Sequence, residues 1–514
     1  MNYSPKGYYV WDTWYMPVEG LVHVFHLQNL RPSFNSDLSE NRQLGHAISR
    51  DLVHWETCPP VLAPDPSNPL DNNQPWTGCA IWYDSKAYLY YTMRPLGTLV
   101  EEQRIGLAIS QDGYTFQRYS TNPIIEPDTR WYATIDHPIK GMQDCRDLSI
   151  VADPKGGWFG LYAARLRKDH ELPRLNCVAC VHSYDLIHWN HLSPAFVPNK
   201  YCVTEVVDVF MLDGLYYLTL LTGHNYGNHG LFSDPFVTTG TIYAIADQPQ
   251  GPYHELDDNV LLGANHFGPM SARSVLFNGN RYLLYTDHER IGATDSGVSA
   301  FIGTISTPKK LVTKSGGLKA LYSDLIESDI TDVLVSSNKP IVRSLNQWRN
   351  WLPTLGDYWQ KNQPGVYTGE MFSGMDIFHT DTNLDNGILE VEVTIEQGIA
   401  AGLAFRINPV GECGTVLLDA DRKVIEYQED GCFDIFREIR QAPVSIGKPM
   451  LLRVVLRGEH IEVYLDNVLF LAFPRYRYLD GKFGLLIDRS RSSFRNFRVV
   501  RLAVNIPWKE SKST

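Results

Sequence analysis

The sequence has none of the features that place a chain in or across a membrane. Its first residues, MNYSPKGYYVWDTWYM, contain no basic segment followed by an apolar one. No stretch of about 18 consecutive apolar residues occurs elsewhere, which is the length a membrane-spanning helix needs. We therefore expect a soluble, cytoplasmic protein with no membrane partner.

The chain has fewer basic than acidic residues. The chain has 46 Lys and Arg against 58 Asp and Glu, a net charge of −12, which argues against nucleic acid as a partner. Its eight cysteines are scattered without the spacing of a disulfide framework, so we expect reduced, buried thiols. Cys177 and Cys180 form a CxxC pair, but positions i and i+3 of a strand face opposite sides of a sheet. A zinc site is therefore not expected there.

Several motifs of common enzyme classes are also missing. The chain has no glycine-rich phosphate-binding loop, no nucleophile-elbow serine and no HExxH zinc motif. We predict neither a metal nor a cofactor. At 514 residues and 44% hydrophobic, the chain is long enough for two domains with large cores. Aromatic residues make up 12% of it, which suits both strand packing and stacking on carbohydrate.

One stretch, LGHAISRDLVHW (44–55), is repeated along the chain. It returns as IGLAISQDGYTF (105–116), as CVACVHSYDLIHW (177–189) and more loosely as GTIYAIADQPQGPYHEL (240–256). Each copy predicts a strand, a polar turn and a second strand that ends on an aromatic residue. Sheets that cannot bury both faces alone suggest radial stacking in a β-propeller. The alternative is a β-sandwich with coincidental hairpins.

Five runs, rich in tyrosine or alternating between apolar and polar residues, each predict an inner strand of one blade. They are LVHVFHL (21–27), KAYLYYTM (86–93), GWFGLYAARL (157–166), LYYLTLLTG (215–223) and RYLLYTD (281–287). We predict an all-β fold in which a five-bladed β-propeller occupies residues 1–312. A linker with a short helix follows at 313–344, because KSGGLKALYSDLIE has apolar residues at helical spacing. Alternating strands then predict a lectin-like β-sandwich over 345–505, and 506–514 form a disordered tail.

Three carboxylates stand in otherwise apolar or aromatic strand ends. They are Asp12 in VWDTWY, Asp147 in DCRDLSI and Glu205 in VTEVVDVF. Hydrolysis of a glycosidic bond needs one protonated carboxyl as acid and one ionised carboxylate as nucleophile or base. The valines around Glu205 would raise its pKa, and the Arg146 guanidinium would hold Asp147 ionised. The alternative is that all three are ordinary turn or blade-capping residues.

Together these motifs resemble glycoside hydrolase family 32, the invertases, inulinases and levanases. The stretch GHAISRDLVHW (45–55) is similar to the family's WGHAVSxDLVHW blade. The short motifs that resemble the family's WSGSA, RDP and ECPDLF are WTGCA (76–80), RDL (146–148) and EVVDVF (205–210). The resemblance covers residues 8–312 and implies a five-bladed propeller followed by a β-sandwich.

The resemblance also implies roles for individual residues. Asp12 would be the nucleophile, Glu205 the acid/base and Asp147 the transition-state stabiliser that binds ring hydroxyls. Arg146 would orient the acid/base. The implied reaction is cleavage of terminal furanosides with retention, and in such enzymes the two carboxyl groups lie roughly 5 to 5.5 Å apart.

The chain departs from the family pattern around these residues. Asp12 is followed by Thr13-Trp14 where the family has Pro-Asn, and Leu148 replaces the proline after RD. Val206-Val207 replace Cys-Pro after the acid/base. Asn29 falls on the family's Asn, while Gln28 is one position away from its sugar-binding Gln. The candidate substrate-binding residues are Trp11, Asn29, Trp76 and Arg146.

Two other functions remain open. An inverting hydrolase like the family 43 arabinanases and xylosidases shares the DLVHW-like blade, but it usually lacks an Arg before the middle Asp. A carbohydrate-binding propeller without catalysis is the other, against which the three carboxylates argue. The loop GHNYGNHG (223–230) could border the pocket, and its two histidines are a weak metal hypothesis. We expect an oligosaccharide or small glycoside as substrate; its sugar, its linkage and the oligomeric state stay open.

Overall fold

A computed structural model describes residues 2–30, 43–97, 101–137, 142–167, 175–265, 269–287, 303–314, 316–336, 358–363, 365–409, 411–430, 436–475 and 480–503. Within these ranges the chain forms 34 β-strands and two short 3-10 helices, His224–Tyr226 and Asp324–Asp329. The all-β prediction is confirmed. No helix in the described ranges has the length and apolar character needed to span a membrane.

Four antiparallel sheets of four strands follow one another along the first half of the chain. The first contains β1 to β4, at Tyr8–Val18, Leu21–Leu30, Gln43–Ser49 and Glu56–Leu62. The second contains β5, β6, β8 and β9, at Trp76–Tyr83, Lys86–Met93, Arg104–Ser110 and Gln117–Arg118. The third contains β11 to β14, at Cys145–Ala152, Trp158–Arg165, Asn176–Ser183 and Asn190–Phe196. The fourth contains β15 to β18, at Glu205–Leu212, Leu215–Gly223, Thr239–Ala246 and His254–Ala264. Two short strands, β7 (Glu101–Glu102) and β10 (Met142–Gln143), pair in parallel between the second and third sheets.

The first strand of each sheet faces a shared axis. Strand β1 contacts β5, β5 contacts β11, and β11 contacts β15. The ring closes through β19 (Pro269–Phe277), which contacts both β15 and β1. This radial arrangement is the predicted propeller.

The expected fifth blade is not a separate sheet. It consists of β19, β20 (Asn280–Asp287), β21 (Thr304–Ile305), β22 (Lys309–Lys314) and β23 (Gly317–Leu321). Leu321 in β23 pairs with Val468, so this sheet continues into the C-terminal sandwich. The prediction of a five-bladed propeller is therefore corrected to four separate sheets and a fifth set of strands that shares its sheet with the second half of the chain. A short sequence repeat does not show whether a strand from later in the chain will pair with the exposed edge of a blade.

The repeated sequence forms the same turn in the first three blades. The hydroxyl oxygens of Ser49, Ser110 and Ser183 each accept a hydrogen bond at 2.9 Å from the backbone N–H three residues later. A carboxylate oxygen of the Asp two residues after each Ser accepts a further backbone N–H, as in Asx and Ser turns. The looser fourth copy has Ala246 in place of the serine. The repeat is therefore a turn signal as well as a strand signal.

The second half of the chain is a β-sandwich. Its strands β24 to β34 are Ile330–Val335, Trp359–Gln363, Val366–His379, Gly387–Ile407, Cys413–Asp419, Val424–Asp430, Arg437–Gln441, Met450–Arg457, His460–Leu465, Val468–Pro474 and Lys482–Leu502. Strands β27 and β34 have 21 residues each and pair along most of their length. Alternating buried residues of these strands, such as Leu389, Val391 and Val393, form the core.

The expected linker is mostly strand. Its apolar residues Leu318 and Ala320 are buried on one face of β23, with the period of two that a strand requires. Among the described residues of this segment, helical structure is confined to the 3-10 helix Asp324–Asp329, which Ser323 caps. The boundary at 312 falls inside β22. Residues 337–344 and the tail 506–514 lie outside the described residues, and the domain boundaries stay a prediction.

Candidate active site

Each of the five inner strands carries an irregularity at the same level of the ring. The pairing with the neighbouring strand shifts around two residues in each case, at 11–12, 77–78, 147–148, 206–207 and 271–272. Three of these residues have left-handed backbone conformations, with φ of 61° at Asp147, 53° at Val206 and 51° at Ser271. Bulges of this kind turn side chains out of the regular alternation of a strand. They bring side chains from five different blades to one place.

Asp12 is held by hydroxyl groups from two other blades. Its Oδ2 accepts a hydrogen bond from the Thr77 hydroxyl, and its Oδ1 accepts one from the Ser271 hydroxyl. Hydrogen bonds to an ionised acceptor are strong and directional. Both oxygens of this carboxylate are therefore fixed in orientation, while the residue remains partly accessible.

Glu205 lies at the beginning of β15 and contacts the buried guanidinium of Arg146. The Arg146 Nη2 donates to Glu205 Oε1 at 3.1 Å, and the glutamate side chain keeps 29% exposure. Burial raises the pKa of Glu205, the nearby charge of Asp12 adds to this, and Arg146 opposes it. The predicted direction of this pKa shift is confirmed. A carboxyl with a raised pKa can carry the proton that a leaving group needs.

Asp147 is almost fully buried beside the same guanidinium. Its Oδ2 accepts a hydrogen bond from the backbone N–H of Val206 at 2.7 Å, and Arg146 Nε lies 3.7 Å from it. Burial raises the pKa of Asp147 to about 7, against the lowering effect of Arg146. The expectation that Arg146 holds this carboxylate ionised is wrong in its net direction, because desolvation outweighs the guanidinium.

Arg146 is fixed from behind by a second layer of polar groups. Its Nη1 donates to Asp144 Oδ1 at 2.6 Å and to Gln103 Oε1 at 3.2 Å. Asp144 in turn accepts from Arg165 at 2.6 Å. Since Arg146 is only 3% exposed, this network decides where its remaining donors point.

The other binding residues predicted from the sequence have different neighbours in the structure. One face of Trp76 is covered by the Arg94 guanidinium, whose central carbon lies 3.3 Å from the ring centroid. Arg94 is also paired with Glu101 at 2.5 Å. Trp11 packs against the core between the first two blades. Asn29 lies near the end of β2, opposite Tyr9, and its buried Oδ1 has no hydrogen-bond partner within the described residues. Sugar binding by these residues stays a prediction.

Three residues next to the carboxylates are not predicted from the sequence. Thr77 lies within the WTGCA motif, directly after the tryptophan that the sequence singles out. Ser271 carries no sequence signal. Tyr226, whose hydroxyl lies within hydrogen-bonding reach of Glu205, is located between the two histidines of the GHNYGNHG loop. The rings of His224 and His229 do lie 4.4 Å apart, but across the described part of the chain no three potential metal ligands cluster.

Comparison with known proteins places the chain among carbohydrate-active enzymes. The sequence model of the Glycosyl hydrolases family 32 N-terminal domain matches residues 14–319, beginning two residues after Asp12. The chain is 24% identical to a sucrose-6-phosphate hydrolase of Zymomonas mobilis subsp. mobilis over 441 residues, 82% of this chain and 75% of that protein.

Solved structures share the fold at low sequence identity. Fructan 1-exohydrolase IIa from Cichorium intybus superposes with a TM-score of 0.68 at 14% identity, covering 98% of both chains. A variant of the GH32 β-fructofuranosidase of Bombyx mori in complex with sucrose superposes with a TM-score of 0.62 at 16% identity, covering 97% of this chain and 94% of that one. The propeller and sandwich are thus arranged as in these enzymes.

Proposed function

Because this chain belongs to glycosyl hydrolases family 32, we infer that it is a β-fructofuranosidase-like glycosidase that acts on sucrose or fructan oligosaccharides by a retaining double displacement. The names of the relatives support this substrate class: one is a sucrose-6-phosphate hydrolase, another is a fructan exohydrolase, and a third is in complex with sucrose. One observation carries the assignment of the site. Asp12, Asp147 and Glu205 come close together from three blades, and the buried Arg146 contacts the last two of them.

The first half of the reaction uses Asp12 and Glu205 together. The Asp12 carboxylate attacks the anomeric carbon and forms a glycosyl ester, while the bond from that carbon to the leaving oxygen breaks. The proton of Glu205 passes to the leaving oxygen. The Thr77 and Ser271 hydroxyls hold Asp12 in position for this attack.

The second half reverses the proton transfer. Glu205, now ionised, takes a proton from a water molecule, and the water oxygen attacks the anomeric carbon. The ester to Asp12 breaks and the sugar leaves with its original configuration. In this proposal Arg146 stabilises the ionised Glu205, which it contacts, and Asp147 hydrogen-bonds the hydroxyls of the sugar ring.

The test is hydrolysis of sucrose, inulin, levan and an aryl β-fructofuranoside, with the product anomer followed by NMR. We expect the wild-type product to keep its anomeric configuration, and Asp12→Ala and Glu205→Ala each to lower kcat by about a thousandfold or more. Azide should restore turnover of the aryl substrate by Glu205→Ala, because azide needs no base. Asp257→Ala and Glu56→Ala, at exposed positions, are the matched controls.

Other outcomes of the same experiment point elsewhere. Inversion of configuration would place the chain with the arabinanase-like and xylosidase-like hydrolases. Sugar binding without turnover by the wild-type protein would indicate a non-catalytic carbohydrate-binding propeller. Family membership favours neither of these functions.

A further inference from the structure

A tyrosine from outside the inner strands reaches the carboxyl of Glu205. At the end of the 3-10 helix His224–Tyr226, the hydroxyl of Tyr226 lies within hydrogen-bonding reach of this carboxyl. The two residues are 21 positions apart and belong to the same blade, but Tyr226 follows β16 whereas Glu205 begins β15. The contact depends on how the loop 223–230 folds back over the blade.

The loop is tied to the segment that carries Glu205 by a buried asparagine. Asn228 is 1% exposed, and its Oδ1 accepts a hydrogen bond from the backbone N–H of Cys202 at 2.6 Å. Its Nδ2 donates to the carbonyl of Val203 at 2.9 Å and to the Thr222 hydroxyl at 2.6 Å. One side chain therefore joins the loop to both β16 and the residues just before Glu205.

The ring of Tyr226 is also fixed by packing. It lies against a small apolar cluster of Val206, Leu221 and Met270. Gly227 follows it in a left-handed conformation with φ of 76°, which ends the 3-10 helix directly after the tyrosine. The hydroxyl is thus aimed by the ring contacts, the helix end and the Asn228 anchor together.

We propose that Tyr226 is a positioning residue for Glu205, and that Asn228 acts through it by holding the loop 223–230 in place. The inference rests on the proposed acid/base role of Glu205. A phenol that donates to one carboxyl oxygen favours the ionised form that exists after the proton has left. It also limits rotation of the carboxyl, so the proton is presented to the leaving oxygen in one orientation.

The charged neighbours of Glu205 come from several elements. Arg146 and Asp147 face it from β11, Asp144 lies just before that strand, and Asp12 faces it from β1. His224 and His229 lie on the tyrosine's own loop. Replacing the tyrosine leaves all of these in place, so a change in the titration of Glu205 can be assigned to the lost hydroxyl.

The experiment measures pH profiles of kcat/KM for wild type, Tyr226→Phe, Asn228→Ala and the double variant, with sucrose and an aryl β-fructofuranoside. In Tyr226→Phe we expect the basic limb to move to higher pH, because the phenol no longer favours ionised Glu205. We expect kcat/KM to fall about tenfold on the substrate with the poor leaving group and less on the aryl substrate. Tyr184→Phe, at a tyrosine that is 76% exposed, should change neither quantity.

The double variant tests the anchor. If Asn228 works through Tyr226, the single variant Asn228→Ala should show a shifted basic limb of the pH profile. Adding Asn228→Ala to Tyr226→Phe should then cause no further shift. An unmoved limb in Tyr226→Phe, with full loss of activity in Glu205→Ala, would overturn the positioning role and leave the proposed function intact. Independent, additive shifts would overturn the role of Asn228. Absence of fructoside turnover by the wild-type protein would overturn both the function and this inference.

Discussion

At the scale of single residues, burial sets the chemistry of this site more than charge pairing does. Asp147 and Glu205 share one guanidinium, yet the pKa of each is raised because both lose hydration. Arg146 offsets part of this cost and keeps the carboxyls together. The protein therefore holds acidic groups in an environment where their ionised forms are unfavourable, a cost that active sites commonly carry.

Asp147→Asn should make the protein less sensitive to pH. A carboxyl whose folded-state pKa is raised to about 7 contributes stability below its unfolded pKa of about 4 and loses it as pH rises toward 7. Asparagine has no such titration and can still accept the Val206 N–H. Between pH 4 and pH 8 we expect the free energy of unfolding of the wild type to fall by up to about 4 kcal/mol. The variant should not show this fall.

Urea unfolding at pH 4.5 and pH 8 measures this difference. The variant should be inactive but relatively more stable at pH 8. Equal pH dependence in the two proteins would show that Asp147 is ionised in the folded state throughout this range.

At the scale of elements, the five bulged inner strands form the site. A regular strand would alternate its side chains and place only every second residue on the channel side. The backbones of neighbouring strands can approach closely at the bulge because a small residue occurs there. A Cβ added to Gly78 would lie 2.0 Å from the carbonyl oxygen of Tyr90 in the neighbouring strand.

Gly78→Ala should therefore separate β5 from β6 and displace Thr77 from Asp12. We expect a loss of about 3 kcal/mol of unfolding free energy and a fall in kcat/KM, because the obstacle is backbone that cannot rotate away. Gly374→Ala is the control, since its added Cβ meets only the Met371 terminal methyl at 3.8 Å. Thermal unfolding of both variants tests this, and equal stability of the two would contradict the close approach.

At the scale of the whole molecule, buried ionic groups join the propeller to the sandwich. His460 Nδ1 of β32 lies 2.6 Å from Asp287 Oδ2 of β20. Glu462 accepts from Tyr285 at 2.7 Å and pairs with the buried Lys309. Buried pairs contribute little net stability but are costly to break, so they favour one relative placement of the two halves.

His460→Gln tests this interface. The surrounding carboxylates raise the pKa of His460 to about 9 despite its burial. Protonated His460 stabilises the folded protein fully below the unfolded-state pKa of about 6.5. This contribution to the free energy of unfolding, about 3 kcal/mol, is lost as pH rises through about 9. The wild type should therefore lose more stability than the variant between pH 7 and pH 10.

Calorimetry of the full chain at both pH values measures that loss. His188→Gln, at a side chain that is 81% exposed, serves as the control. If the wild type and His460→Gln showed the same pH dependence, His460 would not carry a proton in the folded protein at pH 7.

Local patterns in the sequence are sufficient to predict the strands, the repeated turns and the order of the three carboxylates. These patterns are alternation with a period of two, Ser and Asp at turn positions, and short motifs around Asp12, Asp147 and Glu205. What surrounds the carboxylates depends instead on the tertiary structure. Thr77 and Ser271 reach Asp12 across 65 and 259 residues of sequence, and only closure of the ring brings them there. The raised pKa of Asp147 and the joining of the fifth sheet to the sandwich have the same origin, since desolvation and edge pairing depend on neighbours that are distant along the chain.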